Sequence, residues 1–262
     1  MYKGNAKLNT WQWCFVGAVF VWCLVGASMI RVECCPDEWA RRLLSDFMFR
    51  HGRLPIGEEA EIVMENYGFS YAIYPYLASM INAGFMRIVS VFTGSERAML
   101  TASRMCSVVS VALCAMFLQK IGNLFFRKRS VSTLFAALVC FLPQVMFLGM
   151  YQNNDALALC GICGVVYSVV QGNAGKGDGN SRWSWGDCVR LALWVSVTLV
   201  SYYNAYGWLL VCGVATVASF LRRNDSGSDP VWARSRAGLW AEIPAWIRLW
   251  ARSRGLTGRI LR

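Results

Sequence analysis

The sequence predicts an all-α polytopic membrane protein. We expect a bundle of about six transmembrane helices, with a first outer loop that carries juxtamembrane amphipathic helices. Three observations predict it. Apolar residues make up 56% of the chain and Trp occurs 12 times, while only 16% of residues are charged. The apolar residues gather in runs close to the roughly 20 residues that cross a bilayer as a helix. The basic residues gather in alternate connections between those runs, which is the positive-inside pattern. A net charge of +11 would also suit nucleic acid. Its distribution follows topology instead, and no nucleic-acid partner is expected.

The first run, residues 11–30, is apolar and uncharged. It is longer than the apolar core of a signal peptide, and no small-x-small cleavage site follows it before Arg31, so it reads as a retained anchor. The outer loop, residues 31–104, holds eight Arg against nine Asp or Glu, a net of −1. Within it, residues 36–50 predict a helix lying at the membrane surface. Pro36 suits a first turn, and Asp37 and Glu38 suit the positive end of the helix dipole. Trp39, Leu43 and Phe47 recur at helical spacing, which leaves Arg41, Arg42 and Asp46 for headgroups and water. Gly52 supplies a C-terminal cap and Pro55 stops continuation. Residues 71–92 are apolar but interrupted by Pro75, Asn82 and Arg87. They read as helical pieces at the outer interface; a true span is the rival reading, and it would move Arg127, Lys128 and Arg129 to the outside.

Further spans are expected at 102–119, 131–150 and 156–171. The apolar stretch 191–221 reads as two short spans with a break near 201–206. Residues 1–221 thus form one transmembrane module. The tail 222–262 is basic and rich in Trp and Arg, and reads either as a surface helix or as the end of a truncated or shifted reading frame. The expected location is the plasma membrane, multi-pass, with the N-terminus (Lys3, Lys7) cytoplasmic. Eight of the eleven cysteines lie inside spans, where Cys behaves as a small apolar residue. With His51 the single histidine, no metal site is expected.

Chemistry is expected on the outer side. Asp37 and Glu38 sit just beyond the first span, where carboxylates face water at the lipid boundary; a helix-terminal charge pair is the bland alternative. His51 and Arg53 either end a helix or meet a lipid phosphate, for which the Arg fork is suited. Asn66, Tyr67, Tyr71, Tyr74 and Tyr76 form an aromatic cluster, either an interfacial belt or a platform for a sugar ring. Arg104 opens the second span and either snorkels to headgroups or pairs with Asp37, Glu38 or a substrate phosphate. Asn153, Asn154 and Asp155 precede a later span on the same side, as a helix cap or as part of a polar cavity.

The order of these features resembles the GT-C glycosyltransferases, polytopic enzymes that take sugars from polyprenyl phosphates. It is most similar to the bacterial glycosyltransferase 39-like and related predicted membrane transferases. The matching residues are Pro36-Asp37-Glu38, His51-Gly52, Leu54-Pro55, the tyrosines from Tyr71 to Tyr76, Arg104 and Asn153-Asn154-Asp155. The resemblance implies an inverting transfer in the cell envelope. Asp37 would be the base, and Glu38 would orient the acceptor or hold a cation. His51, Arg53 or Arg104 would stabilise the departing phosphate, and Asp155 would complete the cavity. The implied partners are a polyprenyl-phosphate-linked sugar, a glycan, lipid or protein acceptor, and membrane lipid, with no cofactor predicted and a divalent cation left open. Related enzymes have more spans, and often a Lys where this chain has Ser201-Tyr202-Tyr203-Asn204. Two other classes stand beside this reading: a non-catalytic or degenerate membrane protein derived from such an enzyme, and a small transporter.

Overall fold

The computed structural model describes residues 6–56, 59–65, 68–174 and 183–224. Asn66, Tyr67, Lys3 and the tail beyond residue 224 lie outside the described residues. Two units are distinguished, Met1–Val214 and Ala215–Arg262, and the following concerns the first. Every regular element among the described residues is helical. In chain order these are α1 (Thr10–Met29), α2 (Glu38–His51), α3 (Leu77–Ser90), α4 (Glu96–Ala102), α5 (Met105–Phe125), α6 (Arg129–Cys140), α7 (Pro143–Leu148), α8 (Asp155–Ala174), α9 (Trp185–Leu199) and α10 (Tyr206–Asn224). Short 3-10 turns lie at Val32–Cys34, Ala60–Ile62, Tyr71–Ile73 and Tyr203–Ala205.

Three of these helices are long and apolar enough to cross a membrane: α1, α5 and α8, with mean hydropathy of 1.7, 1.7 and 1.5. At 1.5 Å per residue, a 20-residue helix spans about 30 Å, the thickness of a bilayer core. The expected span 131–150 is instead two pieces, α6 and α7. The pre-proline Leu142 is driven out of the helical region, and Pro143 restarts the helix at its first position. The stretch 191–221 breaks as expected, between α9 and α10 at residues 200–205. Residues 71–92 form a 3-10 turn, a loop through Pro75 and the 14-residue α3, with no continuous helix over the segment.

Side-chain pairs fix the helix directions. At one end Gln12 of α1 exchanges hydrogen bonds with Asn123 of α5 (3.0 and 3.1 Å), and Gln119 donates to the Gln12 carbonyl. At the other end Arg104, which precedes α5, bonds carbonyls at the close of α1. So α1 and α5 are antiparallel. Phe117 packs tilted on Tyr167 and edge-to-face on Trp194 where α5, α8 and α9 meet. Gly161 and Gly164 let α9 approach α8 so closely that a Cβ on either would collide with Thr198 or Trp194, the small-residue packing of membrane helices. The bundle therefore separates its chemistry. Arg127, Lys128, Arg129 and the start of α9 lie toward the Gln12–Asn123 end, and the candidate site residues Asp37, Glu38, Arg104 and Asn153–Asp155 lie toward the other. In a Cys-depleted background, single cysteines at Arg129 and Asp155 are expected to react with impermeant reagent from opposite membrane faces. Labelling of both from one face would overturn this arrangement.

Helix α2 is oriented differently from the amphipathic expectation. Its inward face is Glu38, Ala40, Arg41, Leu44, Ser45, Phe47 and Met48, while Trp39 is exposed. Arg42 pairs with Asp46 at 3.4 Å in a half-buried bridge. Arg41 is thus turned inward against tyrosine rings from distant segments, while Arg42 and Asp46 pair with each other along the helix.

Candidate functional site

The site is organised by a buried ion pair. Arg104 and Glu38 are both fully buried. The guanidinium donates Nε and Nη2 to the two oxygens of Glu38, at 2.7 and 2.5 Å. Its Nη1 donates to the carbonyls of Ala27 and Ile30, each at 2.7 Å. Those carbonyls end α1 and have no partner within that helix, so one side chain satisfies both. Glu38 also accepts the backbone N–H of Gln152 at 2.7 Å. The side chain of Gln152 in turn donates to the Arg41 carbonyl and the Ser45 hydroxyl. Four segments are tied at this point: the end of α1, the start of α2, the start of α5 and the loop before α8. Of the alternatives open for Arg104, the structure takes pairing with Glu38.

Asp37 sits directly beside this hub. It is exposed and adopts φ 53°, the only left-handed non-glycine conformation among the described residues. Its side chain makes no cap to α2, while its carbonyl accepts the Arg41 N–H. Asp tolerates this backbone region better than most residues do, because its short polar side chain bonds locally. Backbone strain of this kind gathers at functional sites. Its carboxylate is near enough to Tyr71 to act on its hydroxyl. Burial, and then that carboxylate, push the Tyr71 hydroxyl up to about 12, so Tyr71 stays a neutral donor.

An aromatic wall extends from there. Tyr71 packs on Tyr74 (5.1 Å between ring centres), Tyr74 stacks on Tyr203 (5.1 Å), and Tyr202 stacks on Tyr203 (5.5 Å). The sequence marked the first two tyrosines and missed their partners from the α9–α10 break. A doublet of Tyr in a short polar interruption between apolar runs was the available signal. Arg41 was also missed. It is 8% exposed and lies 5.3 Å from the Tyr71 ring centre and 5.8 Å from that of Tyr202.

The Asn/Asp motif divides its work. Asn153 accepts the N–H of Ala156 at 2.7 Å and donates to the carbonyls of Leu148 and Tyr151, so it caps α8. Asn154 donates to the Pro75 carbonyl, holding the tyrosine loop to the bundle. Asp155 is left for other use. It lines a groove of about 580 Å³ together with Tyr202, Asn204, Gln144 and a set of apolar side chains. Burial, and then the Asp155 carboxylate, push the Tyr151 hydroxyl up to about 12.

His51 and Arg53 are not brought to this cluster. They lie at the opposite end of α2, a helix of 14 residues and about 20 Å. There His51 stands 3.3 Å from Glu61, and Arg53 pairs with Glu59 at 2.8 Å. No group of three His, Cys, Asp or Glu side chains is arranged to hold a metal ion among the described residues. The chain matches no protein-family model, no curated protein and no solved structure.

Proposed function

We propose that this chain is a membrane glycosyltransferase. It moves a sugar from a polyprenyl-phosphate donor to an acceptor hydroxyl at the outer face of the membrane, with the N-terminus in the cytoplasm. What supports the reading most is Asp37: an exposed carboxylate, in a strained backbone conformation, fixed beside a buried ion pair and facing a wall of tyrosines. In the transfer, an oxygen of Asp37 accepts the proton of the acceptor hydroxyl. The acceptor oxygen bonds to the anomeric carbon from the face opposite the phosphate. The bond from that carbon to the phosphate oxygen breaks, and its electron pair leaves with the lipid phosphate. The anomeric configuration inverts.

Tyr71 orients the base through its hydroxyl, and the tyrosine wall offers flat faces to a sugar ring. Glu38 and Arg104 act as positioning residues, since their polar atoms are committed to each other and to the backbone. His51 and Arg53, about 20 Å away along α2, fit acceptor or headgroup contacts better than contact with the departing phosphate. The test is to supply membranes containing the chain with radiolabelled polyprenyl-phosphate sugars and follow label into lipid, glycan and protein fractions. Chain-dependent labelling with inverted configuration is expected. Absence of transfer from every such donor would remove the enzymatic reading.

A further inference from the structure

Arg41 is the one buried arginine of this region that forms no ion pair among the described residues. Its neighbours set the comparison. Arg104 makes four hydrogen bonds, Arg42 pairs with Asp46, and Arg53 pairs with Glu59. Arg41 has only the faces of two tyrosines, and its Nε and Nη1 are buried with no hydrogen-bond partner. Ring faces attract a cation but accept none of its N–H directions, so the planar donor fork is left for an acceptor that brings oxygens. Arg forks of this kind match phosphate geometry.

Tyr202 joins this guanidinium to the groove between α7, α8 and the start of α10. The same ring that braces Arg41 lines the groove with Leu142, Leu159, Ile162 and Trp208. A cation that shares Tyr202 with an apolar groove suits an anion carried on a hydrocarbon chain. The surrounding charge narrows the class further. Asp37 lies four residues before Arg41 and beside the same Tyr71, and Asp155 lines the same groove as Tyr202. These two carboxylates, near the guanidinium but not paired with it, disfavour a double negative charge there far more than a single one.

We propose that Arg41 holds the phosphate of a lipid phosphodiester, with the chain in the Tyr202 groove, and that Asp37 and Asp155 set a preference for this monoanion over the dianionic lipid monoester. The assignment deepens the donor reading given above and rests on it. A sugar–phosphate–lipid donor is such a diester, and the lipid phosphate left after transfer is the monoester. The same charge arrangement therefore favours donor entry and product departure.

Binding without chemistry tests this. The probes are a sugar-free prenyl methyl phosphodiester, the matching prenyl phosphomonoester, and dimethyl phosphate as the soluble headgroup, each titrated at pH 8 against the purified full chain in detergent. The wild type is expected to bind the prenyl diester about 10-fold or more tightly than either other probe. Arg41→Gln is expected to lose about 10-fold or more of that affinity, and Arg41→Lys, which keeps the charge and loses the fork, to fall between. If Arg41→Gln does not fold, the Lys variant and the wild-type diester-to-monoester ratio decide. Equal binding of monoester and diester, or unchanged diester binding in a folded Arg41 variant, would overturn the assignment. Dimethyl phosphate binding as tightly as the prenyl diester would place free phosphate, and not a lipid, at Arg41. Because the probes carry no sugar, intact binding without transfer would count against the enzyme alone. Transfer that survives loss of binding at Arg41 would count against Arg41 alone.

Discussion

Replacing Arg104 with alanine is expected to destabilise the chain by about 3–5 kcal/mol, the largest single-residue effect on folding. The reason is the isolation of what remains. Glu38 would keep a buried negative charge with a single backbone N–H to hold it, and the carbonyls of Ala27 and Ile30 would lose their donors. Restoring water to those groups means opening the junction of α1, α2 and α5. Thermal unfolding in detergent, with the monodisperse fraction on size exclusion, reads the effect. A double variant, Arg104→Met with Glu38→Gln, is expected to recover part of the loss, because removing both charges costs less than stranding one. An Arg104→Ala chain that melts with the wild type would mean that the pair carries no structural role.

This outcome separates two assignments that look alike in the sequence. An Arg at the mouth of a membrane helix suits a substrate phosphate as well as a structural carboxylate. What decides between them is the position of Glu38, 66 residues earlier, and of the α1 carbonyls, more than 70 residues earlier. No local pattern encodes those distances. Where the determinants are local, the sequence was readable. The uncharged run of α1, the glycine cap at Gly52 and the polar break between α9 and α10 all fall where composition places them. Helix α2 was found with nearly its true ends but rotated about its axis. Counting Arg41 as polar put it on the water side, whereas tyrosines 30 and 161 positions later enclose it. The break before Pro143 was legible in the proline alone, yet the apolar run around it read as one span. The site followed the same rule. Asp37 and Asp155 were recognisable from their place at span ends, while Arg41, Tyr151, Tyr202 and Tyr203 belong to the cluster only through the packing of four separated segments.

The second large effect is catalytic and concerns Asp37. Asn is the informative replacement, because its short side chain also tolerates the left-handed backbone at this position, φ 53°. Alanine would add backbone strain and confuse folding with chemistry. Asn keeps the shape of the side chain beside Tyr71, and removes the basic oxygen that accepts a proton. A positioned general base contributes about 10²–10⁴-fold, so transfer is expected to fall by at least about 10²-fold. Tyr71→Phe, which removes only the orienting hydroxyl, should fall less. Glu38→Gln belongs to the structural class and should lose folded protein along with activity. The decisive measurement is the initial rate of transfer from a radiolabelled polyprenyl-phosphate sugar in membranes containing equal amounts of folded wild-type and Asp37→Asn chain. The account predicts a rate in the variant about 10²-fold or more below the wild type, with unchanged thermal stability. A wild-type rate in Asp37→Asn would contradict it.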